Sequence, residues 1–125
     1  MTPFPPSAVL PQAKLNIPEK VYAILPHDVS LSIPETAGDL YAIADEHKHA
    51  LRYFAGDIMN GDFLLFTLHD STAGEYYTFD FYAKNTVPQY GTFRHAVGLH
   101  NTKAPEHLAS LANAIAHHLL MAKLT

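Results

Sequence analysis

Phe63-Leu64-Leu65-Phe66-Thr67-Leu68, the loop His69-Asp70-Ser71-Thr72-Ala73-Gly74, and then Glu75-Tyr76-Tyr77-Thr78-Phe79-Asp80-Phe81-Tyr82-Ala83 form the stretch that decides the fold class. The first run is apolar and of strand length, so both its faces should be covered. The last run alternates. Tyr77, Phe79, Phe81 and Ala83 fall on one face and Tyr76, Thr78, Asp80 and Tyr82 on the other. Period two over that length is a strand signal. Two such runs joined by a short polar loop make an antiparallel hairpin.

Working outward, Asn60-Gly61-Asp62 and Gly56-Asp57 precede the hairpin and read as turns, because Asn-Gly readily supplies positive φ. Leu51–Phe54 reads as a short strand before them. After the hairpin, Thr92–His100 reads as a third strand, with Phe93, His95, Val97 and Leu99 sharing a face. Residues 105–124 read as a helix. Pro105 suits a helix start, and Leu108, Leu111, Ala112, Ile115 and Leu119 make one apolar stripe. This helix should pack across the hairpin face that carries Phe79 and Phe81.

Toward the N-terminus, residues 1–18 hold five prolines and form an extended, irregular arm whose Phe4, Val9, Leu10 and Leu15 can lie on the domain. Asn16-Ile17-Pro18-Glu19 has the spacing of a capping box, and Pro26 ends that short helix near Leu25. Ser32-Ile33-Pro34-Glu35 repeats the signal. Leu40, Ile43, Ala44, His47 and Leu51 then recur at helical spacing, for a helix running to about His47. Gly38 costs this second helix about 1 kcal/mol relative to Ala. The expected fold is therefore α+β: an antiparallel sheet of three to five strands, short N-terminal helices, and a C-terminal helix packed on the sheet. All 125 residues belong to one domain on this reading.

Charge and composition narrow the function classes. Net charge is −4 with a pI near 6.1, and no basic cluster exists to neutralise phosphates, so direct nucleic-acid binding is not expected. Charged residues are 16% of the chain, against about a quarter in ordinary domains. The plainer reading is a polar but uncharged surface rich in Thr, Ser, Asn and His, and the other is a surface partly covered by a partner or a second copy. There is no cysteine, so disulfides, thiolate metal sites and thiol nucleophiles are excluded; a reducing cytoplasm is the expected setting. Met1-Thr2-Pro3-Phe4-Pro5-Pro6 resembles neither a signal peptide nor a membrane span.

Nine histidines are unusual for this length. His47-x-His49 and His117-His118 look like ligand pairs, but helical metal pairs need spacing of three or four. The plainer reading is separate surface and half-buried histidines, with no metal and no cofactor. Asp57, Asp62, Asp70, Glu75 and Asp80 crowd the hairpin. Two carboxylates suffice for glycoside hydrolysis. The plainer reading gives turn capping to the first three and outward strand positions to Glu75 and Asp80. No Gly-x-Ser-x-Gly elbow and no phosphate-cradling glycine loop occur, so no catalytic residue is assigned. Tyr53, Tyr76 and Tyr82 would form an aromatic patch if they shared the outer face of the sheet, and Tyr is enriched at interfaces.

The runs Phe54-Ala55-Gly56-Asp57, Asn60-Gly61-Asp62-Phe63-Leu64-Leu65-Phe66 and Gly74-Glu75-Tyr76-Tyr77-Thr78-Phe79-Asp80 resemble the SUKH superfamily. There a Gly/Asp turn leads into an apolar strand, a loop and a Gly-x-aromatic strand. Leu25-Pro26-His27-Asp28 is similar to that family's early Leu-Pro-x-Asp element. The resemblance covers about half the chain. It implies an immunity protein, a non-enzymatic antidote that binds a cognate bacterial toxin such as a nuclease. It carries over no catalytic residue and no binding residue. The residues themselves suggest a partner-binding set of Asp57, Asp62 and Asp70, whose carboxylates would face a basic cleft, with Tyr76 and Tyr82 as contact rings. The expected assembly is a monomer or homodimer. Two other readings stay open: an acidic dimer like a secretion chaperone, and a small hydrolase using histidine and carboxylates.

Overall fold

The computed structural model describes residues 4–47, 50–83 and 93–124. In chain order these form α1 (Glu19–Ile24), β1 (Val29–Ser32), α2 (Ala37–His47), α3 (Ala55–Met59), β2 (Phe63–Asp70), β3 (Glu75–Tyr82), β4 (Phe93–Val97) and α4 (Glu106–Leu124). Short 3-10 turns occupy Pro11–Lys14, Ala50–Phe54 and Leu99–Asn101. The strands make one antiparallel sheet in the order β1-β2-β3-β4, so the fold is the expected α+β meander with a C-terminal helix.

The hairpin register pairs Phe63 with Tyr82 at one end and Asp70 with Glu75 at the other. Alternation then sends Leu64, Phe66, Leu68, Tyr77, Phe79 and Phe81 to one face. There they join Leu108, Ala112, Ile115 and Leu119 of α4 in a buried cluster. The terminal helix covers this face as its stripe predicts. Leu65 leaves the opposite face and is buried with Leu10, Leu40, Ala44, Leu51 and Ile58. The apolar β2 run is thus covered on both sides, by α4 on one and by α2, α3 and the N-terminal arm on the other.

That second cover corrects one expectation. The face carrying Thr78 and Asp80 is not an outward face: both residues are fully buried. The N-terminal arm helps to close it. The Leu10 and Ala37 amides donate to the carbonyls of Glu35 and Ala8, and buried Gln12 joins the Pro34 carbonyl to the Leu65 amide.

Several local expectations shift. The short helix α1 begins at Glu19 behind Pro18, with no side-chain cap, so Asn16 does not cap it. Ser32 ends β1, which pairs with Thr67–Asp70, so it cannot also open a helix. The capping box sits four residues later. The Thr36 hydroxyl accepts from the Asp39 amide, and the Asp39 carboxylate accepts from the amides of Thr36 and Glu35. Leu51–Phe54 is a 3-10 turn, and Gly56-Asp57 lies inside α3, because Leu51, Ala55 and Ile58 all bury against Leu65. The turn at Gly61 does form, with φ of 81°.

The third expected strand is shorter and carries a bulge. Phe81 lies opposite Phe93 and Asp80 opposite His95, so Arg94 is the extra residue. An inserted residue breaks the alternation. Phe93 and Ala96 both reach the α4-side cluster, whereas Arg94 and His95 both turn to Asp80. His95 therefore does not share a face with Phe93. Leu99 leaves the strand for a turn in which His100 and Asn101 have positive φ. The expected Thr92 and the His49 partner of His47 lie outside the described residues.

Candidate docking groove

The last turn of α2 and the turn end of the hairpin build a groove around Tyr76. In α2, His47 falls on the buried stripe with Leu40 and Ala44, and is 5% exposed; its neighbour Glu46 points to solvent. In the sheet, Tyr76 lies directly opposite His69. The Tyr76 ring stacks on His47 at 4.0 Å and on His69 at 5.0 Å between centroids. Its hydroxyl faces the Glu46 carboxylate.

These contacts set the protonation states. Burial raises the Tyr76 pKa, and the Glu46 hydrogen bond and charge raise it further, so the phenol stays a donor at any physiological pH. Burial lowers His47 below its ordinary 6.5, against the pull of Glu46 and Glu75 and with a push from His69. Its imidazole is therefore mostly uncharged near neutrality. The Tyr77 hydroxyl donates to Glu75 at 2.8 Å, and that bond, then burial, raises its pKa too.

Two cavities flank this tyrosine. One, of about 380 Å³, lies between Glu46, Glu75, Tyr76, Tyr77 and the half-exposed Leu99. The other, of about 560 Å³, is bordered by Glu35, Asp39, Glu46, His69 and Tyr76. Glu46 and Tyr76 border both. Four carboxylates line the pair, and no lysine or arginine does among the described residues. A third cavity, of about 350 Å³ between the arm and the start of β2, is mostly apolar and has Lys14 as its charged group.

The structure divides the five residues expected to bind a partner. Tyr76 lies in the groove. Tyr82 is exposed but six residues further along β3, roughly 20 Å away at strand rise, beside Phe63. Asp62 is near that far end. Asp57 is there as well, and its carboxylate is held by Arg94 at 2.5 Å. Asp70 is 8% exposed and on the opposite face, where it caps its own turn by accepting from the amides of Thr72 and Ala73. The three acidic turns therefore do not present one surface. Tyr53 is 80% exposed on its 3-10 turn, outside the lining of both cavities. No family model, curated protein or solved structure matches the chain.

A second polar cluster is enclosed. The Asp80 carboxylate accepts from Arg94 Nε at 2.9 Å and Nη2 at 2.5 Å, and from the His95 amide at 2.8 Å; His95 Nδ1 lies 2.9 Å away. The Arg94 guanidinium lies 3.7 Å from the Phe63 ring centre and 4.4 Å from that of Phe54. This cluster ties β3, β4 and α3 together, with its charges committed to one another. Among the described residues, no three His, Asp or Glu side chains gather closely enough to hold a metal ion, and no helix is long and apolar enough to cross a membrane.

Reasoning from the amino acids alone missed Glu35, Asp39, Glu46, His47 and His69 as groove residues and gave Glu75 only an outward strand position. Glu46 and Tyr76 are thirty residues apart in sequence, and the β2–β3 register brings in His69. A capped helix ending in Glu-His, followed by a hairpin with His opposite Tyr, is the signal that could have found them.

Proposed function

We propose that this protein is a non-enzymatic binding protein that acts as an immunity protein, docking a protein partner over the Tyr76 groove. The carrying observation is the half-buried Tyr76 ring, set between two cavities whose charged lining residues are carboxylates. A ring held by neighbours loses little entropy on binding and can serve as an anchor, while surrounding carboxylates steer a basic partner. Three of the five carboxylates that could otherwise suggest hydrolysis are engaged: Asp80 and Asp57 with Arg94, and Asp70 with its turn. The resemblance of Gly74–Asp80 and its preceding turns to the SUKH superfamily supports the same reading.

The test is co-expression with a toxin encoded beside it. The wild-type chain should restore growth and co-purify with the toxin. Tyr76→Ala should keep the fold and dissociate faster. Growth rescue without a complex, or rescue and dissociation unchanged by Tyr76→Ala, would reject the groove as the docking surface.

A further inference from the structure

We infer that the groove accepts an extended basic segment of a protein partner, placing one arginine or lysine side chain in each cavity with one residue between them. This rests on the docking reading above and names the chemistry of what docks. Each cavity has the elements that recognise a cation on an aliphatic stem. In the smaller one, Glu46 and Glu75 supply carboxylates, and Tyr76, Tyr77 and Leu99 supply ring and apolar surface. In the larger, Glu35, Asp39 and Glu46 supply carboxylates around the Tyr76 and His69 rings. Carboxylates bind guanidinium through charge-assisted hydrogen bonds, and the ring and apolar surfaces can pack against its aliphatic stem. Both volumes fall within the range of roughly 300–1,000 Å³ typical of sites that enclose small ligands.

The pairing of the cavities sets the spacing. They share Glu46 and Tyr76, so these two side chains form the ridge between them. In an extended chain, side chains on the same side recur every second residue, about 6.6 Å apart. Residues i and i+2 can straddle the ridge, whereas adjacent residues point to opposite sides. No Lys or Arg lines either cavity among the described residues, so no permanently charged cation of the walls opposes an incoming one.

The experiment titrates the full chain with a capped Arg-Ser-Arg peptide by calorimetry, with amide NMR to locate the contact. Shifts should centre on Glu46, Glu75 and Tyr76. Replacing both arginines by norleucine should abolish binding, and Arg-Arg-Ser should bind more weakly. Glu46→Gln removes the carboxylate shared by both cavities and should weaken binding about tenfold or more. Glu19→Gln, an exposed acid on α1, should leave it unchanged. The inference is overturned if the peptide fails to bind, if Glu46→Gln has no effect, if the two peptide orders bind equally, or if spermidine binds as tightly as the peptide. Capture of the toxin through Tyr76 without binding of the basic peptide would leave the docking reading standing and remove this one.

Discussion

Asp80→Asn tests the enclosed polar cluster. Asp80 is fully buried, and its two oxygens receive both Arg94 contacts, the His95 amide and His95 Nδ1. Asparagine keeps the volume but removes the charge. Whichever way the amide turns, its NH₂ faces donors that the carboxylate had accepted from. Breaking one partner out of a buried ion pair costs about 3–5 kcal/mol. Arg94 keeps Asp57 at 2.5 Å and the Phe54 and Phe63 ring faces, which places the loss at the low end, about 3 kcal/mol. For 125 residues with an unfolding entropy of about 2.1 cal/mol/K each, that corresponds to a fall in Tm of roughly 11 °C. The chain has no tryptophan, so urea unfolding followed by far-UV circular dichroism and tyrosine fluorescence is the assay. Asp80→Leu with Arg94→Met, which removes both charges, should lose less than the two single changes added together. A loss under about 1 kcal/mol for Asp80→Asn, or strict additivity in the double variant, would refute a coupled buried pair.

Phe79→Ala should cost about 3–5 kcal/mol in the same assay, because Phe79 is fully buried, stacked on Phe66 and edge-on to Phe93; a loss under about 1 kcal/mol would contradict that packing. Gly98→Ala should lower stability by about 1–3 kcal/mol, since the added Cβ would sit 2.8 Å from the buried Tyr77 ring; an unchanged Tm would show that the ring gives way freely. Burial lowers the folded pKa of His47, so below pH 6.5 the unfolded chain takes up the proton more readily. His47 should therefore reduce stability as pH falls from 6.5 through its folded pKa and have no such effect above it. His47→Phe should flatten that part of the pH–stability curve, and an unaltered acid slope in the variant would show that another group causes it.

Much of the architecture is legible along the chain because its signals are local. The alternation of Glu75–Ala83, the apolar run before it and the Leu108–Leu119 stripe each state a period, and a period states which side chains share a face. Local rules were less decisive where two satisfied the same grammar. Ser32-x-x-Glu35 and Thr36-x-x-Asp39 both fit a capping box, and pairing of β1 with β2 removes the first. Gly56 reads as a turn, yet burial of Ala55 and Ile58 against Leu65 makes that segment α3.

The candidate groove was legible only in Tyr76. Its acidic partners were sought in the turns because Asp57, Asp62 and Asp70 are neighbours of the hairpin in sequence. Register places Asp70 at the opposite end from the other two and on the other face. The carboxylates that do surround Tyr76 come from α2, from the turn before it and from the first residue of β3.

What the amino acids determined by themselves is which residues lie side by side on β2, β3 and α4 and that the β2 run must be covered on both faces. Only the tertiary structure decided what provides the second cover, and with it the fate of Asp80. A strand's period is set by its own backbone, whereas desolvating a carboxylate is tolerable only when a distant cation arrives to meet it. That cation, Arg94, reaches Asp80 through a bulge in β4 that no local pattern announces.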